Sequence, residues 1–246
     1  MILNLLQFGR VGYGEGLDLQ RQLVDARHDG RIENTLVLLE HPPVLTLGRN
    51  ASRANILASD EFLAYRGVEI HEINRGGDVT YHGPGQLVGY PIFDLCSFAP
   101  RLGAVEYVRL MEEALIRTCG DFGVLTTRIA GRTGVWTVTG GSMQEKKIAA
   151  IGVHIARGIT SHGFALNVNP DLRDFQLIVP CGIADREVTS LEREADPPPA
   201  VDAVRNSVAR QFGHVFRSQV LWVESLADLL PDSPLAAKAL AAHADL

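Results

Sequence analysis

Apolar residues fall in strand-length runs along most of the chain, and longer stretches of helical spacing interrupt them. Residues 1–8 read as a first strand. Residues 14–28 read as a helix with Leu17, Leu19, Leu23, Val24 and Ala26 on one face, ended by Gly30. The run Thr35-Leu-Val-Leu-Leu-Glu40 is continuous and apolar, the pattern of a buried strand. His41-Pro-Pro43 breaks it, because proline removes a ladder donor, and residues 44–47 resume as a strand. Ser59 followed by Asp60 and Glu61 predicts a helix N-terminus, with Gly67 as the stop. Residues 68–73 and 87–93 are strand-like and flank a glycine-rich loop. Residues 103–120 carry the clearest amphipathic pattern, Val105, Val108, Met111 and Leu115 against Glu106, Arg109, Glu113 and Arg117. Strand candidates follow at 124–129, 134–138, 147–156 and 163–168, with a turn at 139–142. Asp196-Pro-Pro-Pro199 reads as a linker, residues 201–216 as a helix, and the Leu/Ala-rich residues 219–246 as helical. The expected fold is α/β (α+β), a mixed β-sheet flanked by helices. The expected organisation is a catalytic body over 1–195 and a helical C-terminal appendage over 200–246.

Bulk properties narrow the classes. A chain of 246 residues with 46% hydrophobic content suits one sizeable domain, or a main domain with a small appendage. The net charge of −6 argues against nucleic acid as a partner. No apolar run approaches the roughly 18 residues of a membrane span, and the N-terminus lacks a basic leader, so no membrane partner and a cytoplasmic location are expected. Three scattered cysteines, Cys96, Cys119 and Cys181, give neither a disulfide framework nor a zinc knuckle. No metal site is expected, because no Cys/His pairing has ligand spacing. Walker and dinucleotide patterns are absent, so no nucleotide is expected and no cofactor is assigned.

Three places can carry chemistry. The stretch Arg75-Gly-Gly-Asp-Val-Thr-Tyr-His-Gly-Pro-Gly-Gln86 packs four glycines with a guanidinium, a carboxylate, a phenol and an imidazole. It reads either as a tight polar turn or as a rigid binding loop whose glycines let backbone approach a ligand. Cys181 sits between Pro180 and Gly182, a frame that projects a side chain out of regular structure, whereas Cys96 and Cys119 fit small packed hydrophobes. A thiol of pKa ~8.5 needs about 3.4 kcal/mol to reach ~6. One cation at ~4 Å supplies about 4 kcal/mol at an effective dielectric near 20. Lys147, His162, His82 and Arg75 are the available candidates. Of 23 basic residues only Lys146, Lys147 and Lys238 are lysines, and Lys146 and Lys147 alternate across a strand, so one can be solvated while the other points inward. His162 precedes a strand, where a lone histidine is most often a structural hydrogen-bonder.

Read together, residues 75–86, Lys147-Ile-Ala-Ala-Ile-Gly152, Ser161-His-Gly-Phe-Ala-Leu-Asn-Val168 and Pro180-Cys-Gly182 resemble the lipoyl(octanoyl) transferase family in order and spacing. His41-Pro-Pro-Val-Leu-Thr-Leu-Gly-Arg49 resembles it as well. The resemblance implies a fold similar to the catalytic domain of biotinyl and lipoyl protein ligases. It implies transfer of octanoyl from octanoyl-acyl carrier protein to a lysine of lipoyl domains, those of 2-oxoacid dehydrogenases and the glycine cleavage H protein, in lipoate biosynthesis. Cys181 matches the family's acyl-thioester nucleophile, and Lys147 the lysine that lowers its pKa and relays protons. Arg75, Gly76, Gly77, Asp78, Val79, Thr80, Tyr81 and His82, then Ala150, Ile151 and Gly152, then His162, Gly163, Phe164 and Ala165 match its substrate-binding segments. Arg75, Tyr81 and His82 are expected at the pocket mouth, and Arg49, Arg75 and Arg157 at a rim that meets an acidic carrier. The polar segment 140–145 departs from the family pattern. The nearest alternative is an ATP-dependent lipoate or biotin protein ligase, which shares the fold without needing Cys181. A carrier-binding module without turnover and a Cys/His hydrolase are further rivals.

Overall fold

The computed structural model describes residues 1–138, 145–179 and 187–236. The expected turn at 139–142, most of the polar segment 140–145, Pro180, Cys181, Gly182 and the end of the C-terminal stretch lie outside the described residues.

In chain order the strands are β1 (Ile2–Arg10), β2 (Asn34–Glu40), β3 (Val44–Leu47), β4 (Glu69–Glu72), β5 (Val79–His82), β6 (Gln86–Ile92), β7 (Thr126–Ile129), β8 (Arg132–Thr137), β9 (Lys147–Ala156), β10 (Ile159–Asn167) and β11 (Gln219–Val223). The helices are α1 (Tyr13–His28), α2 (Asp60–Tyr65), α3 (Ala104–Gly120), α4 (Leu191–Glu194), α5 (Val201–Val215) and α6 (Leu226–Leu229). Eight strands form one mixed sheet in the order β11-β1-β2-β6-β10-β9-β8-β7, and a second sheet runs β4-β3-β5. The fold class is the one the pattern implies.

Continuous apolar runs are explained by burial on both faces of the large sheet. In β2, Leu36 and Leu38 join the core under α3 and α5, while Val37 and Leu39 join the core under α1. Strand side chains alternate, so one run feeds both layers. The amphipathic reading of α3 holds for Met111 and Leu115, which are buried together with Tyr107 and Ala114, but Val105, in the first turn, is exposed. Ser59 caps α2 by accepting from the Phe62 amide.

Two segments differ from expectation. Residues 75–86 are not one loop: Val79–His82 is a strand that pairs antiparallel with β3. Its β-branched and aromatic residues alternate well on a pleated surface. The C-terminal stretch is not a separate helical piece. Val204, Val208 and Phe212 of α5 belong to the main core, and β11 pairs parallel with β1 at the sheet edge. The prolines do not mark a boundary between two cores.

Candidate active site

A cavity of about 500 Å³, its open mouth included, lies between the segment around β5 of the small sheet and strands β9 and β10 of the large one. One wall comes from the segment before β5 and from β5 itself: Arg75, Gly76, Gly77, Asp78, Thr80 and His82. The other comes from β9 and β10: Ala150, Ile151, Gly152, His162, Gly163, Phe164 and Ala165. Residues 68 to 90 positions apart in sequence thus line one space.

Val79 and Tyr81 are the two members of the predicted segments that do not line it. Alternation along β5 turns Thr80 and His82 to the cavity and sends Val79 and Tyr81 into the small core under the second sheet. The Tyr81 hydroxyl donates to Asp174 Oδ2 at 2.7 Å, and its ring packs edge-on against Phe175. Burial, reinforced by the Asp174 carboxylate, pushes the phenol pKa up. Tyr81 is therefore not at the mouth.

Arg75 is not a rim arginine. It is 7% exposed. One guanidinium nitrogen donates to the Thr46 carbonyl at 2.7 Å and to the Thr46 hydroxyl at 2.8 Å. Another donates to the Gly76 carbonyl at 3.1 Å. The planar fork ties the segment to β3, a geometry lysine cannot copy. Arg49 and Arg157 are exposed. Gly77 has φ +92, the left-handed region that suits glycine. The Gly76 amide donates to the Val153 carbonyl at 2.9 Å, which locks this wall to β9.

Sequence reading missed Tyr13, Val88 and Tyr90, which also line the cavity. Tyr13 opens α1, and its ring lies parallel to His82 with centroids 6.1 Å apart. It also meets His41 edge-on at 5.0 Å. The Tyr90 hydroxyl lies 2.6 Å from His41 Nε2. His41 Nδ1 donates to the Val11 carbonyl at 2.6 Å, so Nε2 is the acceptor for Tyr90. A usable signal was present: Val88 and Tyr90 alternate in β6 just past Gln86, on the same face. Tyr13 had no such signal, since its approach depends on how α1 packs across β6 and β10.

Three buried histidines, His41, His82 and His162, are held neutral. Burial, then the nearby His41, pushes His82 down to about 3. Burial, then the Arg75 guanidinium, pushes His162 down to about 4. Burial likewise pushes His41 down to about 4. His162 has φ +56 within β10, its amide donates to Gln20 Oε1 at 2.7 Å, and its Nε2 lies 2.8 Å from Asn74 Oδ1. A non-glycine residue at positive φ inside a strand is a strained position held by its partners.

Lys147 begins the strand that lines the cavity but is not itself part of the lining. Its Nζ lies over the Trp136 ring, 4.7 Å from the centroid. Lys146 Nζ instead lies 3.5 Å from Glu187 Oε2 at the surface. The adjacent lysines therefore have different surroundings, as their alternation implies. Of the described cysteines, Cys119 is buried and its thiol is pushed up to about 12 by burial. Cys96 is exposed and not a core hydrophobe. Among the described residues no group of His, Cys, Asp and Glu is placed to hold a metal ion, and no helix is long and apolar enough to cross a membrane.

Both chain ends that flank 180–186 are anchored at this site. The Val179 amide donates to the Asn55 carbonyl at 2.8 Å, and the Asn55 side chain donates to Asp78 of the cavity wall at 2.6 Å. On the far side, the Lys147 amide donates to the Glu187 carbonyl at 2.9 Å, and the Thr189 amide donates to the Lys147 carbonyl at 2.9 Å.

Comparison with known proteins agrees with this architecture. Residues 12–213 match the family model of the lipoyl protein ligase A/B catalytic domain. The chain is 75% identical over 239 residues to an octanoyltransferase of Acidobacterium capsulatum, covering 94% of this chain and 97% of that protein. It is 58% identical over 230 residues to an octanoyltransferase of Koribacter versatilis, covering 94% and 90%. Among solved structures, lipoate-protein ligase A bound with ATP superposes with a TM-score of 0.70 at 17% identity, covering 98% of this chain and 95% of that one. An archaeal lipoylation system from Thermoplasma acidophilum, a bipartite lipoate protein ligase and its E2 lipoyl domain, gives 0.69 at 17% identity, covering 98% and 91%. At that identity these two likenesses speak for the fold. The chain belongs to the lipoyl protein ligase A/B catalytic-domain family and, within it, is an acyltransferase of the octanoyltransferase group.

Proposed function

We propose that this acyltransferase moves octanoyl from an acyl carrier protein to a lysine of a lipoyl domain through a thioester on Cys181. The observation that carries the reading is the anchoring of the chain on both sides of Cys181. Two residues before it, Val179 is tied through Asn55 to the cavity wall at Asp78. Six residues after it, Glu187 is bonded to Lys147. The described chain on one side of Cys181 is thus bonded toward the cavity wall, and on the other side to Lys147, which supports pairing the thiol with this lysine.

In the first half-reaction the Cys181 thiolate attacks the donor thioester, the bond to the carrier sulfur breaks, and that sulfur leaves with the proton of Lys147, which is then neutral for the second step. The bonds formed and broken are alike, so the exchange is close to balanced. The cationic Lys147 lowers the thiol pKa, an effect of the size worked out above. In the second half-reaction a neutral lysine amine attacks the acyl carbon, the C–S bond breaks, and the proton lost by nitrogen ends on the Cys181 sulfur by way of Lys147. The apolar wall of Ala150, Ile151, Phe164 and Ala165 suits a saturated acyl chain.

Intact mass spectrometry after exposure to octanoyl-carrier protein tests the scheme. Wild type gains one octanoyl that hydroxylamine removes, and Cys181→Ser gains none that hydroxylamine removes. An equal, hydroxylamine-stable adduct on both proteins sinks the thioester. Lys147→Arg retains a cation but no usable base, so it keeps part of the acylation and loses transfer by a larger factor. Equal losses in both half-reactions, read in single turnovers, remove the relay role.

A further inference from the structure

A chain of buried side-chain amides runs from the cavity to the backbone that follows Cys181. Asn167 Nδ2 donates to the Thr189 carbonyl at 2.8 Å. Gln86 Nε2 donates to Asn167 Oδ1 at 2.9 Å and lies 3.4 Å from the Tyr81 carbonyl. Gln86 Oε1 lies 2.7 Å from His82 Nδ1. Gln86, Asn167 and His82 are all buried.

The direction of this chain is fixed from its far end. A backbone carbonyl only accepts, so Asn167 must present its NH₂ to Thr189 and its oxygen to Gln86. Gln86 must then present its NH₂ to Asn167, which agrees with its second approach to the Tyr81 carbonyl. Its oxygen is left for His82, which must carry its proton on Nδ1. Nε2 is then a bare acceptor, with no hydrogen-bond partner among the described residues, on a ring that lines the cavity. The parallel Tyr13 ring holds the imidazole plane, and pairing with Val44 fixes the backbone that carries it. The groups that face this ring from neighbouring elements are His41, Arg75, His162 and Tyr13. The cationic Arg75 and the burial both favour the neutral imidazole.

A fixed acceptor needs a donor. Of the reacting groups in the scheme above, the thioester and the thiolate offer only acceptors, and the amine offers N–H. We propose that His82 touches the acceptor lysine: its Nε2, set by the Gln86–Asn167–Thr189 chain, takes a hydrogen bond from the amine N–H and aims the nitrogen lone pair at the acyl carbon. His82 orients and does not keep the proton, which leaves nitrogen as the C–N bond forms and the C–S bond breaks, and ends on the Cys181 sulfur. Gln86 and Asn167 are positioning residues. This inference rests on the Cys181 thioester reading.

Two measurements on the full chain test it. The first is ¹⁵N NMR of the histidine side chains in the wild type at neutral pH. The expected His82 signal is the Nδ1–H tautomer with unprotonated Nε2, and Gln86→Leu, a change outside the cavity lining, yields mixed tautomers. The second separates the half-reactions in single turnovers with octanoyl-carrier protein and a lipoyl domain. In His82→Phe the transfer step falls roughly 30-fold, the scale of one hydrogen bond to a group gaining charge, and acylation falls several-fold less. His82→Gln, which keeps an acceptor oxygen, recovers part of the transfer rate, and Gln86→Leu loses part of it. An Nε2–H tautomer in the wild type, or equal losses of both steps in His82→Phe and Gln86→Leu, overturns the assignment while the wild-type thioester stands. Absence of any thioester on the wild type sinks the Cys181 reading and this one with it.

Discussion

The two walls of the cavity are built by opposite means. The wall from Arg75 to His82 is polar, and its groups are spoken for: Arg75 by Thr46 and Gly76, Asp78 by Asn55, His82 by Gln86. The β9–β10 wall is small and apolar, and its shape depends on missing side chains. A Cβ at Gly163 would lie 2.1 Å from the Gly89 carbonyl oxygen, and one at Gly152 would lie 2.9 Å from that of Gly76. Hydrogen bonds fix one wall and close backbone approach fixes the other. Glycine therefore has different meanings on the two sides. On the sheet wall it is a packing requirement, and at Gly77 it is a conformational one.

The comparison can be broken by substitution. Gly163→Ala should lose about 3 kcal/mol or more of stability in urea unfolding, because neither the Gly89 backbone nor the Pro91 ring 2.6 Å away can move freely. Gly76→Ala, whose Cβ meets only the Val153 carbonyl at 3.5 Å, should stay within about 0.5 kcal/mol. Equal costs would mean that the walls are not built differently. Next in size is a pH effect from three buried histidines, one in each wall and one behind them. His41, His82 and His162 titrate well below their ordinary 6.5. The unfolded chain therefore binds more protons than the folded one below about pH 6.5. Stability is fully present above that pH and is lost as pH falls toward the folded values of about 3 to 4. Thermal midpoints at pH 7 and pH 5 should differ in that direction, and replacing His41 with Gln should shrink the difference. A small effect belongs to Tyr81→Phe. It removes one hydrogen bond on the side of β5 away from the cavity, so it should cost about 1 kcal/mol with little change in transfer rate. A large kinetic loss with unchanged stability would place Tyr81 in the site after all.

Much of the fold is legible in the sequence where one rule acts locally. Alternation and capping mark β2, α2 and α3, and a continuous apolar run marks a strand covered on both faces. The blocks that line the cavity stand out by their glycines and by their order along the chain. Which side chains of a block face inward is also local information, and the alternation of Val79, Thr80, Tyr81 and His82 would have separated them had the segment been read as a strand. Long-range packing is what local patterns miss. Tyr13 reaches His82 only because α1 crosses β6 and β10. Arg75 looks like a surface arginine until Thr46 is seen to take its fork. The Pro-rich stretch has a linker's composition, yet α5 and β11 return to the main core and sheet. The partnering of such segments is set by distant residues that no window along the chain contains.

The most direct test of the account is where the acyl group rests between donor and acceptor. Protein loaded with octanoyl-carrier protein is quenched, digested and mapped by peptide mass spectrometry, before and after a chase with lipoyl domain. Octanoyl is expected on the peptide that carries Cys181, lost on the chase at the rate at which it appears on the acceptor lysine. Octanoyl on the exposed Cys96 instead, or a Cys181 adduct that the chase does not consume, would contradict it.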